Sequence, residues 1–103
     1  MKVEIKKQGN KVELDLPNPK GRDVKKGLKL LISSQRAEDE ITKIERIEEY
    51  LDFLDEITAE KVNMTVDELD DLESDDKNKL VGFYADKVTG RLDFLKSSLM
   101  REN

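Results

Sequence analysis

The chain has no cysteine, no histidine and no tryptophan, and only two prolines and five glycines among its 103 residues. Without cysteine there is no disulfide framework and no thiolate metal site, which fits a reducing compartment. Without histidine the side chain that titrates near neutrality, the commonest metal ligand, is missing as well. Aromatic residues are 5% of the chain, and none precedes Tyr50. No apolar run approaches the ~20 residues needed to span a bilayer. The first seven residues, MKVEIKK, contain no apolar segment of a signal peptide, so a soluble, cytoplasmic protein is expected.

What the chain has in abundance is charge, and it is sorted into blocks. Residues 1–36 carry ten Lys/Arg against four Asp/Glu; residues 37–76 carry three against seventeen; residues 77–103 carry six against three. Charged residues make up 42% and apolar residues 36%, against a usual charged share of about 25%. The length suits one domain. So thin an apolar supply predicts a mostly helical fold with narrow buried stripes, or one completed by self-association.

The first sixteen residues alternate. Val3 and Ile5, then Val12, Leu14 and Leu16, sit two apart with mostly charged residues between them, the period of strands with one buried face. Gln8, Gly9 and Asn10 form the turn, with Gly and Asn able to take positive φ. The pattern predicts a hairpin with strands near 2–7 and 11–16. The prolines Pro17 and Pro19 then mark a linker over 17–22. Asp23 is the expected N-cap of a helix to about Gln35, with Val24, Leu28 and Leu31 on one face and Gly27 weakening it by about 1 kcal/mol. Residues 33–40 read equally as a loop or as continuous helix. From Ile41 to about Val62, a wide apolar face built on Ile44, Ile47, Leu51 and Leu54 predicts a long amphipathic helix. Thr65 and Glu68 have capping-box spacing for a short helix to about Leu72. Ser74 is the expected N-cap of a last helix whose stripe is Leu80, Tyr84, Val88, Leu92, Leu95 and Leu99, interrupted by Gly82 and Gly90 as sites of close packing or a kink. The fold class is therefore mainly α (α+β): an N-terminal β-hairpin over 1–16 followed by three or four amphipathic helices over 23–100, in a single domain of residues 1–103.

Candidate chemistry is sparse. The acidic run 67–76 invites a calcium loop, but such a loop needs a glycine at its sixth position, and no glycine occurs between 28 and 81. Two capped helix starts on a solvated acidic face account for it. Carboxylates in so charged a stretch lack the burial or specific neighbour that tunes a catalytic pKa, and residues 21–27 lack the Gly-Lys-Ser/Thr ending of a phosphate loop. No enzyme, metal or cofactor is expected. The basic cluster Lys20, Arg22, Lys25, Lys26 and Lys29 at a helix start suits phosphate or an acidic protein surface. The missing aromatic platform and a pI near 4.9 argue against nucleic acid. The stripe Ile44, Ile47, Leu51 and Leu54 spans under two heptads, so core packing is expected rather than a coiled-coil seam between chains. Tyr50 and Phe53 broaden the apolar face beyond what a small core covers, and that surplus is the expected interface.

Three stretches, residues 16–30 (LPNPKGRDVKKGLKL), 66–72 (VDELDDL) and 75–80 (DDKNKL), together with the preceding hairpin, resemble tail assembly chaperones of long-tailed bacteriophages and prophages. The resemblance extends over most of the chain and implies a largely helical, non-structural helper in the host bacterial cytoplasm. Such proteins coat the long helical tape-measure protein, help recruit tail-tube subunits around it, and then leave. A longer frameshifted form is often made as well, and this chain would be the short one. No catalytic residues carry over. Tyr50, Phe53, Leu54 and Ile57, with Phe94 and Leu95, are the candidate residues for contact with the client or with another copy. The alternative from charge alone is a small regulatory or DNA-mimicking protein whose acidic middle binds a basic partner protein.

Overall fold

Alternation at the N-terminus does produce a two-stranded antiparallel sheet, β1 (Lys2–Lys7) and β2 (Asn10–Asp15), in the register Val3 opposite Leu14 and Ile5 opposite Val12. The computed structural model describes the backbone of residues 1–101 and the side chains of 1–99. The hairpin loop is two residues, Gln8 and Gly9, with φ of 52° and 79°. Positive φ at both positions is the turn whose twist matches the strands. Asn10 is therefore already in β2, and Gln8 takes the left-handed conformation expected of Asn10.

Helix α1 (Gly21–Arg36) begins two residues earlier than Asp23. Lys20 occupies the N-cap position, and the Asp23 carboxylate reaches back to accept from its amide at 3.0 Å. Asp23 thus serves the third helical position, where a carboxylate also meets free amides. The connection 37–39 is a true break, closed by Asp39, whose carboxylate accepts from the Thr42 amide at 2.8 Å at the start of α2 (Glu40–Lys61). Asn63, φ 58°, ends α2 in the left-handed conformation. The Met64 amide donates to the Ala59 carbonyl and the Asn63 amide to the Glu60 carbonyl, the paired bonds of a Schellman stop. The Thr65–Glu68 capping box opens α3 (Val66–Asp70) as its spacing predicts. In α4 (Ser74–Arg101) the Lys77 amide donates to Glu73, so Ser74 lies inside the first turn instead of capping it. The helix continues through both Gly82 and Gly90.

Two apolar clusters hold these elements. Val3, Ile5 and Leu16 of the hairpin region meet Ala59, Val62, Leu69 and Leu80. Leu28, Tyr50, Phe53, Leu54, Ile57, Tyr84, Val88 and Leu92 join α1, α2 and α4. Leu69 and Leu80 are fully buried, each contributing roughly 1.5–3 kcal/mol relative to exposure. Gly27 is buried at the crossing of α1 with α2 and α4: a Cβ there would lie 2.9 Å from Phe53 Cε2 and 2.9 Å from Val88 Cγ2. Its local cost to helix α1 is offset by the close approach it permits. No Cβ added at Gly82 or Gly90 would meet anything within 4 Å, so neither glycine serves close packing.

Candidate protein-binding site

The two sides of α2 are assigned opposite to expectation. Tyr50, Phe53, Leu54 and Ile57 point inward and are buried. Phe53 lies edge-on to Gly27, and Lys26 from α1 caps its ring at 5.5 Å. These four residues are core, out of reach of a partner in the folded state. The heptad-like stripe expected to be core faces outward instead: Ile41 is 72% exposed, Ile44 52%, Ile47 39% and Leu51 50%. Only Leu54, the last member of that stripe, is buried. Of the two candidates from α4, Phe94 is exposed and stacked under Arg91 at 5.3 Å. Leu95 is partly buried against the core.

Local bonds fix α2 in this rotation. Arg46 Nη1 donates to the Ser33 carbonyl at 2.9 Å, tying the helix to the end of α1. At the other end Lys61 pairs with Asp23 at 3.4 Å across the same helix pair. Thr58, fully buried, donates its hydroxyl to the Leu54 carbonyl at 2.6 Å and needs no other partner. On the α4 side Asp55 pairs with Lys77, which also pairs with Asp70 at 2.8 Å. The Asp70 hydrogen bond, ahead of Asp55, raises the Lys77 pKa. The Thr42 hydrogen bond holds the Asp39 carboxyl below its usual value, while Glu68 is lowered by the Thr65 amide and then by Lys7.

The outward apolar stripe of α2 has one strongly acidic border. Glu45, Glu48, Glu49, Asp52 and Glu56 are exposed. Among the described residues none of them is in an ion pair. At 3.6 residues per turn, Glu45, Glu48 and Asp52 share one flank of the stripe. The surface therefore offers branched aliphatic groups beside a row of negative charge.

The structure brings most of the basic cluster together. Arg22, Lys25, Lys26 and Lys29 share one exposed face of α1 by their spacing, with Lys20 just ahead of the first turn. Arg36 continues that face, and a shallow cleft lined by Lys29, Ile32, Ser33, Arg36 and Arg46 lies at its end. The opposite end of the molecule carries a cleft of about 310 Å³ between the hairpin turn and α3, lined by Lys6, Lys7, Gln8, Gly9 and Glu68 among others. Its Lys7–Glu68 pair, 3.3 Å apart, is satisfied within the chain. Among the described residues no group of three or more His, Cys, Asp or Glu is placed to hold a metal ion. No described helix is long and apolar enough to cross a membrane.

The arrangement can do one kind of chemistry well, which is to pack against another apolar helix and orient it by charge. No family model matches the chain, and neither a curated protein nor a solved structure does. The outward face of α2 was missed in the sequence because its apolar arc is too wide to show which side turns inward. One signal was present: Gly27 inside a helix marks a close crossing, and the aromatic Phe53 is what fills it.

Proposed function

We propose that this protein is a tail assembly chaperone of a long-tailed phage or prophage, which binds the tape-measure protein and helps recruit tail-tube subunits around it. The observation that carries the reading is the outward stripe Ile41, Ile44, Ile47 and Leu51 on a helix whose packing is otherwise complete. Anchors three and four residues apart are the pattern by which one helix receives another, and a tape-measure protein is a long helical client. The acidic border supplies solubility and steering, while so few anchors keep the contact reversible. The likeness of residues 16–30, 66–72 and 75–80 to this class of chaperone supports the same reading.

The test is co-expression with the tape-measure protein encoded in the same genome, measuring the soluble fraction of that client. The wild-type chain is expected to keep it soluble and to co-elute with it. Ile44→Ser with Leu51→Ser should abolish rescue with the helical circular-dichroism signal intact, whereas Phe53→Ser should lose the fold. Undiminished rescue by the double variant would reject α2 as the client surface. Absence of any rescue by the wild-type chain would reject the chaperone reading.

A second reading rests on the unpaired carboxylates of α2: an acidic regulatory protein or DNA mimic that binds a basic partner protein. Its binding would fall steeply with salt, roughly in proportion to the charges neutralised, while an apolar client contact would weaken far less.

A further inference from the structure

The hairpin has one protected edge and one open edge. Met1 and Leu16 exchange both backbone hydrogen bonds, at 2.7 and 3.3 Å. Antiparallel pairs alternate, so Lys2–Asp15, Glu4–Glu13 and Lys6–Lys11 are the pairs that point their amides and carbonyls away from the partner strand. On the β1 side this edge is partly covered. The Lys6 amide donates to Asp76 at 3.0 Å, and α4 packs along β1. On the β2 side, Lys11, Glu13 and Asp15 present their amides and carbonyls outward, and no hydrogen bond from the described residues reaches them. The side chains of Val12 and Leu14, on the inner face, are only partly covered.

We infer that β2 is the docking edge for β2 of a second copy of this chain, the two hairpins forming one four-stranded antiparallel sheet around a two-fold axis through Glu13. In that register Lys11 faces Asp15 of the second copy, and Asp15 faces its Lys11. These two pairs and the central Glu13 pair each exchange both backbone hydrogen bonds. Val12 lies opposite Leu14 of the second copy on the inner face, so the half-covered side chains of both copies cover one another. A shift that brings Lys11 opposite Glu13 of the second copy sets Leu14 against Asn10 and runs Asp15 into the turn at Gly9. The opposite shift keeps apolar partners, Leu14 opposite Leu14 and Val12 opposite Leu16, but sets Glu13 against Asp15 twice, so apolar matching and charge together select the Glu13 register. The like charges at Glu13 are tempered by Lys2, already 3.6 Å from each of them.

Charge and space both favour this occupant over self-pairing elsewhere. Residues 1–16 carry four lysines against three carboxylates, so the hairpin is nearly neutral within a protein of net charge −5. The acidic face of α2 would repel its own copy. Three strand spacings separate β1 from its symmetry mate by about 14 Å. That leaves room for α4 of each copy beneath its own β1, since packed helices need ~8–10 Å. A two-stranded hairpin is marginal by itself, and a wider sheet is the usual remedy. The inference is independent of the client bound by α2.

Sedimentation velocity on the full chain, with circular dichroism on each variant, tests it. The wild-type chain is expected to sediment as a dimer at submillimolar concentration. Glu13→Pro removes an outward amide without removing a β1–β2 bond and should give a folded monomer. Asp15→Lys sets like charges together twice and should raise the dimer dissociation constant about tenfold or more. Adding Lys11→Asp to Asp15→Lys restores both opposite-charge pairs and should restore the dimer. A monomeric wild-type chain would overturn the inference, and so would a dimer indifferent to these changes. If Glu13→Pro proves unfolded, loss and recovery in the charge-swap pair decide the matter.

Discussion

Replacing Gly27 with alanine sets two well-known effects against each other at one buried point. In an open helix the change stabilises by about 1 kcal/mol, because glycine loses more backbone freedom on folding. Here the new methyl would sit 2.9 Å from both Phe53 Cε2 and Val88 Cγ2, whereas carbon atoms rest about 3.5–4.0 Å apart. Both neighbours are buried, and Val88, being β-branched, has little rotamer freedom with which to yield. Overpacking of this kind costs typically 1–3 kcal/mol. The expected net result is destabilisation by about 1 kcal/mol, or a fall in Tm of roughly 4–8 °C for a domain this size. Gly82→Ala and Gly90→Ala serve as controls, since a methyl at either meets nothing within 4 Å, and each should stabilise by ~0.5–1 kcal/mol. Urea unfolding followed at 222 nm, with midpoint and slope compared, gives all three values. Adding Val88→Ala to Gly27→Ala should show a coupling of at least ~0.5 kcal/mol, because one variant makes room for the other. If Gly27→Ala stabilises as much as the two controls, the tight crossing of α1, α2 and α4 is refuted.

Two further outcomes follow from hydrogen bonds and turn geometry. Tyr84 is buried, and its hydroxyl donates to the Pro17 carbonyl at 2.9 Å; burial pushes its phenol up to about 12. A group raised on folding adds stability that is present below its unfolded pKa near 10 and is lost as pH climbs toward 12. Burial raises Tyr50 as well, so ultraviolet titration should show both tyrosines ionising late, Tyr84 near 12, with stability declining over that window. Tyr84→Phe should remove the transition near 12, leaving that of Tyr50, and cost about 0.5–1.5 kcal/mol; a Tyr84 phenol that ionises normally would contradict its burial. Gln8→Asn should stabilise the hairpin by about 0.5 kcal/mol, because asparagine accepts left-handed φ more readily ahead of Gly9. No gain in thermal midpoint would count against the two-residue turn.

Features set by near neighbours in sequence were legible. Strand alternation fixed the hairpin, the Thr65–Glu68 spacing fixed a cap, and i, i+3, i+4 arithmetic placed Arg22, Lys25, Lys26 and Lys29 on one face. Errors arose where two local solutions compete. A carboxylate serves a helix start equally well as N-cap or three residues in, and Asp23 takes the second place, with Lys20 at the N-cap. The stripe Ile44, Ile47 and Leu51 has the better heptad, yet Phe53 fills the space that Gly27 opens in another helix. No property of α2 alone decides which side turns inward. The Asn63 stop at the end of α2 left no strong mark in the sequence, since asparagine there is only one of several residues that fit.

The clasp between the two ends of the chain has a consequence for how it is made. The hairpin is held by Asp76, 70 residues from the Lys6 amide it accepts from, and by Tyr84, 67 residues from Pro17; its inner face rests on Leu80. As a nascent polypeptide leaves the ribosome, the hairpin emerges ahead of the helices; Ala59, Val62 and Leu69 can meet it early, but Leu80, Asp76 and Tyr84 arrive only with α4. Folding is thus expected to wait for the last helix rather than proceed from the front, the ordering that distant contacts impose. Stalled nascent chains lacking residues 74–101 should accordingly stay protease-sensitive throughout the hairpin, and protection there would show that it stands alone. Synthesis and folding are in this way separated in time, and the newborn β1 edge lacks its Asp76 partner until the carboxyl-terminal helix is out.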